Sequence, residues 1–289
     1  MTNQDNRKDN LFALAVALLP FLIFAAVYEI AVAILEMGWN RLLQSPSLNT
    51  AFAGFLTSVP DVQAIITAIA MACGLLAILR TAGSEIRAYT TVARSTRHPQ
   101  AKSLERFTAR QASFAVRAIW FVSTLALAIG INLLLSLTGA VRLAGGASTV
   151  TGQTELLPGL TIYGIFTPFV EESVFRGTVY ARLRRLLPAP HSLIISMIFS
   201  GLMFAIWHGN LPQGCYALLL GIIFAAFYEW TGNFVAVVFL HAAVNMVMLL
   251  LSQLGVYNNF CTPAWCVTFL AVGAVGFGCL FQILKRNKG

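Results

Sequence analysis

The feature that most constrains this chain is a succession of apolar blocks, each close to the length needed to cross a bilayer. A helix spans the hydrocarbon core with about 20 predominantly apolar residues. Eight stretches qualify as candidates: Leu11–Met37, Val62–Ala82, Phe114–Thr138, Leu160–Tyr180, Ser192–His208, Cys215–Trp230, Phe234–Gln253 and Ala264–Leu284. Inside lipid every backbone polar group must find its partner within the protein, so such blocks fold as helices. The expected fold is therefore all-α: a polytopic membrane protein of about eight transmembrane helices, with a core bundle carrying an intramembrane polar site. Composition excludes the alternatives. Hydrophobic residues make up 58% of the chain and charged ones 10%, against about 25% charged in soluble domains. The fifth and sixth blocks are short and separated only by residues 209–214, which predicts a tight helical hairpin.

Lysine and arginine set the expected orientation. With a cytoplasmic N-terminus, the inside segments hold Arg7 and Lys8, then Arg87, Arg94, Arg97, Lys102, Arg106 and Arg110, then Arg182, Arg184 and Arg185, and Lys285, Arg286 and Lys288 in the C-terminal tail. Only Arg41 and Arg142 fall outside. This asymmetry predicts that both termini are cytoplasmic. The net charge of +8 belongs to these loops, so nucleic acid is not an expected partner and the bilayer is. The basic stretch 83–113 can lie as an amphipathic helix on anionic lipid or serve only as a solvated topological loop. The first block is too long for a signal-peptide core and reads as a retained span. Cys73, Cys215, Cys261, Cys266 and Cys279 read as small apolar helix residues.

Ionisable side chains inside membrane spans are costly and therefore functional candidates. They gather in three neighbouring blocks. The fourth reads TPFVEESVFRGTVYARLRR, with Glu171, Glu172 and Arg176; the fifth ends FAIWHGN, with Phe204 and His208; the seventh reads FLHAAVNM, with His241 and Asn245. Glu172 and Arg176 are four apart on one helical face and can pair. Glu171 is turned about 100° away from Glu172 and can meet a different partner, so the two acids are chemically unequal. His241 and Asn245 share a face, as do Phe204 and His208. The ordered set EExxxR, FxxxH and HxxxN resembles the CPBP family of intramembrane proteases (CAAX protease and bacteriocin-processing, also called ABI), which includes the type II CAAX prenyl endopeptidases. FRG after the acids, HGNLPQGCYALLLG and YEWTGN fit its bacterial members, and the resemblance covers roughly residues 160–250.

The resemblance implies an endopeptidase acting on a membrane-associated or lipid-modified peptide. Glu171 would activate a water with the help of His208, His241 and Asn245 would stabilise the oxyanion, and Glu172, Arg176 and Phe204 would support them. It leaves metal dependence open: Glu171, His208 and His241 could form a three-ligand zinc site, and the same groups suffice for metal-free water activation. Three regions follow: an N-terminal membrane region 1–159, catalytic helices 160–253, and a final helix with a basic tail, 254–289. One tension is internal to this reading, since His208 falls near the outer end of its block and His241 near the inner end of its own. Two further functions compete, a non-catalytic immunity or peptide-binding protein on the same fold and a proton-coupled transporter, and the absence of an internal repeat disfavours the transporter. Structural or interfacial roles are expected for Glu29, Glu36, Asn132 and Glu229, solvated ones for His98 and His191, and interfacial anchoring for Trp39, Trp230 and Trp265. Trp207 adjoins His208 and can line the cavity instead.

Overall fold

The computed structural model describes residues 3–48, 50–51, 61–94, 114–140, 155–187 and 192–286. Among these residues the regular structure is entirely helical. We number α1 (Asn3–Gln44), α2 (Val62–Arg94), α3 (Phe114–Leu137), α4 (a helical run over residues 156–186), α5 (Ser192–Trp207), α6 (Leu211–Thr231), α7 (Phe234–Gln253), the single turn α8 (Tyr257–Phe260) and α9 (Pro263–Arg286). Among the described residues six helices are long and apolar enough to cross a membrane, namely α1, α2, α3, α6, α7 and α9. The chain is an integral membrane protein.

The other two expected spans depart from a plain apolar helix. With 16 residues, α5 is apolar but short. Two π-helical segments, Leu160–Phe166 and Phe175–Tyr180, interrupt α4, and single π turns often mark functional positions in helices. The basic stretch also differs from expectation. Its first part, through Arg94, continues α2 without a break, while residues 95–113 with His98, and also His191 and Arg142, lie outside the described residues.

Burial makes α4 the axis of the bundle. Every residue from Val170 to Ala181 is buried, as expected for a helix enclosed on all sides. Val170, Val174, Phe175 and Val179 pack with α1, α2 and α5. Tyr180 belongs to a second apolar cluster built on α3, α6, α7 and α9. The α5–α6 hairpin is tight because Gly201 and Gly221 meet at the crossing, where a Cβ on Gly221 would stand 2.9 Å from the Gly201 Cα. Trp230 is not an interfacial anchor: it is buried and stacks on Trp120 at 5.8 Å. Trp265, at 43% exposure, keeps the character expected of one. All five cysteines are free thiols.

The arginine run at the end of α4 is held by two buried carboxylates. Glu229 of α6, fully buried, accepts from Arg184 (Nη2 at 2.7 Å, Nε at 3.1 Å), from Tyr89 at 2.6 Å and from Tyr180. Burial pushes the Arg184 guanidinium down, but its bonds to Glu229 outweigh that effect and hold it above the ordinary arginine value. Glu85 of α2 accepts from Arg182 and Arg185 at 2.7–2.9 Å. These cations therefore tie α2, α4 and α6 together, besides any part they play in topology.

The Gly201–Gly221 approach leaves no room for a methyl group. Gly221→Ala is expected to lower stability in detergent by about 1–3 kcal/mol, whereas alanine at Gly38, which has no neighbour within 4 Å, should be neutral or stabilising by up to about 1 kcal/mol.

Candidate active site

The first acid pair is resolved into two unequal groups. Glu172 is fully buried, and its Oε1 accepts from Arg176 Nη1 at 2.9 Å and from His241 Nδ1 at 2.8 Å. Arg176, also fully buried, donates through Nη2 to the Gly221 carbonyl at 2.9 Å. Its guanidinium carbon lies 4.8 Å from the ring centre of Phe204 and 5.4 Å from that of Phe224, a favourable contact for a desolvated cation. A charge is tolerable here only because each partner is bonded on more than one side.

Glu171 points elsewhere. Its Oε2 stands 3.7 Å from His241 Nε2, and the Trp207 indole reaches it from α5. Because a carboxylate can only accept, the His241 Nδ1 bonded to Glu172 carries the hydrogen and Nε2 presents its lone pair towards Glu171. The gap of 3.7 Å exceeds a direct hydrogen bond and leaves the two acceptors in need of a shared proton or a bridging water. The ring is fixed by stacking on Phe224 at 4.6 Å and by the edge of Phe204 at 5.6 Å.

His208 approaches through Phe204. Its Nδ1 donates to the Phe204 carbonyl at 2.7 Å, and the two rings are 4.7 Å apart; by the same reasoning Nε2 is its lone-pair nitrogen. The depth mismatch between the two histidines disappears, because one phenylalanine ring touches both. Asn245 is committed differently from the sequence expectation: its Nδ2 donates to the backbone carbonyl of Tyr163 at 3.0 Å. Trp207 packs against α1, with ring centres 4.9 Å from Tyr28 and 5.2 Å from Phe24, so an aromatic wall from the first helix closes the site. Glu171 and His241 are 5% and 3% exposed.

This constellation falls within a recognisable segment. Residues 153–247 match the family model described as type II CAAX prenyl endopeptidase Rce1-like. Over this segment the chain is similar to the CAAX protease family. The matched segment is about a third of the chain and contains all seven residues named from the three motifs. That family is one of intramembrane proteases in general. No curated protein matches the chain significantly, and no solved structure does.

The side chains do not fit a three-ligand zinc site. Among the described residues no group of three His, Cys, Asp or Glu side chains is disposed to hold a metal ion, and both nitrogens of His241 are directed at glutamates. The mechanism below therefore uses no step through a metal. The reach of Trp207 to Glu171 and the enclosing rings of Tyr28, Phe24 and Phe224 were not legible as site residues. Of these, only Trp207 carried a signal, its position next to His208.

The unequal environments give a direct comparison. Glu172→Gln leaves Arg176 and the His241 Nδ1–H facing a neutral amide, and unfolding in detergent should shift down by about 3–5 kcal/mol. Glu171→Gln breaks no arginine bond and should unfold within about 1 kcal/mol of wild type.

Proposed function

We propose that the chain hydrolyses a peptide bond in a membrane-associated or lipid-modified peptide, using Glu171 as the general base. The observation that carries this reading is the asymmetry of the glutamates. Glu172 is consumed by Arg176 and His241, while Glu171 faces a lone-pair nitrogen across a gap that requires a proton or a water. A carboxylate free of ion pairing beside a polarisable imidazole is suited to take a proton from an attacking water.

The steps follow from that placement. Water between Glu171 and the scissile carbonyl gives a proton to Glu171 as its oxygen attacks the carbonyl carbon. The His208 Nε2 lone pair orients the water from the α5 side. Glu172 and Arg176 hold His241 in one tautomer, as a carboxylate does for an imidazole in hydrolytic triads. The second amide hydrogen of Asn245 is available to the developing oxyanion. Collapse of the tetrahedral intermediate returns the proton from Glu171 to the leaving amine. Exclusion of bulk water by Phe204, Phe224 and Trp207 strengthens each of these interactions.

The test is comparative membrane peptidomics of cells expressing wild type or Glu171→Gln. Precursors should accumulate with the variant, their turnover falling about 100-fold or more while the chain persists in the membrane. Identical peptide profiles would refute hydrolysis and favour a protein that binds a peptide without cleaving it.

A further inference from the structure

Tyr163 lies in the first π segment of α4, and its carbonyl is left without a backbone donor by the sequence itself. The Thr167 N–H donates to the Ile162 carbonyl five residues back. The next amide in that ladder would serve Tyr163, but residue 168 is proline and has no N–H. Asn245 of α7 supplies the missing donor. This places the amide of Asn245 where a helix threonine would ordinarily bond.

Threonine and serine hydroxyls inside helices usually bond the carbonyl four residues back, and three others in α4 do so. Within α4, Thr161 bonds Leu157, Ser173 bonds Phe169 and Thr178 bonds Val174. By the same habit Thr167 would bond the Tyr163 carbonyl, which accepts from Asn245 instead. Its Oγ1 has no partner although the residue is 8% exposed. It stands one turn before Glu171 on the same side of α4 and one turn after Tyr163, whose carbonyl Asn245 bonds. Buried hydroxyls are normally satisfied, and the orphan here adjoins the groups that meet the substrate.

We propose that Thr167 is a further catalytic residue: its hydroxyl donates to the scissile carbonyl oxygen of the substrate, completing with Asn245 an oxyanion site one turn from Glu171. The inference rests on the protease reading above. The π segment and Pro168 make this possible, because a regular α-helix would have turned the Thr167 hydroxyl back onto its own backbone.

The experiment compares full-length wild type, Thr167→Val, Thr167→Ser and Glu171→Gln, each expressed alone. The probe is the set of precursors that accumulate in Glu171→Gln membranes. Thr167→Val removes the hydroxyl at almost constant shape. It should slow turnover of those precursors about ten-fold or more with an unfolding temperature at or above that of wild type, since no bond is lost. Thr167→Ser should stay within about three-fold of wild type. Wild-type turnover by Thr167→Val overturns the inference and leaves the protease reading intact. So does a loss of turnover accompanied by a lower unfolding temperature, which would reveal a structural bond. If Glu171→Gln accumulates no precursors, both fall together.

Discussion

An ion pair shut away from both water and lipid governs this molecule. Arg176 and Glu172 are completely enclosed, and charges so placed are stable only when their surroundings are fixed in advance. Four elements meet that demand. The arginine needs the Gly221 carbonyl, which α6 can offer because Gly201 and Gly221 let the α5–α6 hairpin close. It also needs the faces of Phe204 and Phe224. The glutamate needs His241 from α7. Helix packing in this bundle is thus set by the requirements of one polar pair as much as by apolar contact, which carries little driving force in lipid.

The same pair gives the site its chemistry. By occupying Glu172 and Nδ1 of His241, it leaves Glu171 and Nε2 facing each other at 3.7 Å. A second buried carboxylate, Glu229, binds Tyr89, Tyr180 and Arg184 and anchors α4 eight residues beyond Arg176. The π segment Phe175–Tyr180 carries Arg176 and Tyr180. Its wider winding, with i→i+5 bonds, offsets the drift of an α-helix, so that Arg176, Tyr180 and Arg184 all reach α6. The irregularities of α4 let one helix carry both the buried Arg176–Glu172 pair and a structural anchor on the same neighbour.

Much of this was legible in the sequence. Apolar block length gave an all-helical membrane protein, and the spacing of Glu172 and Arg176 gave their pairing and the distinct orientation of Glu171. What the sequence withheld depends on tertiary contact. Nothing local to Asn245 indicates that its amide would satisfy a carbonyl on another helix, 82 positions earlier. The sequence did contain Pro168, but its effect on Tyr163 depends on the π register, which polar residues in a crowded bundle impose and which no 3.6-residue pattern reveals. Glu229 reads only as a structural or interfacial acid, because its partner Arg184 lies far away in sequence and resembles a topological charge. Trp230 looked interfacial from its place at a helix end, and only its packing on Trp120 shows it to be core.

The central claim is that Glu172, held by Arg176, fixes the tautomer of His241 and so leaves Glu171 as the working base. Nitrogen NMR of histidine-labelled protein in bilayers tests it most directly. The account requires a His241 ring protonated at Nδ1, with resonances that move when Glu172 becomes glutamine and keep that protonation when Glu171 does. A ring protonated only at Nε2, or one indifferent to residue 172, would contradict it.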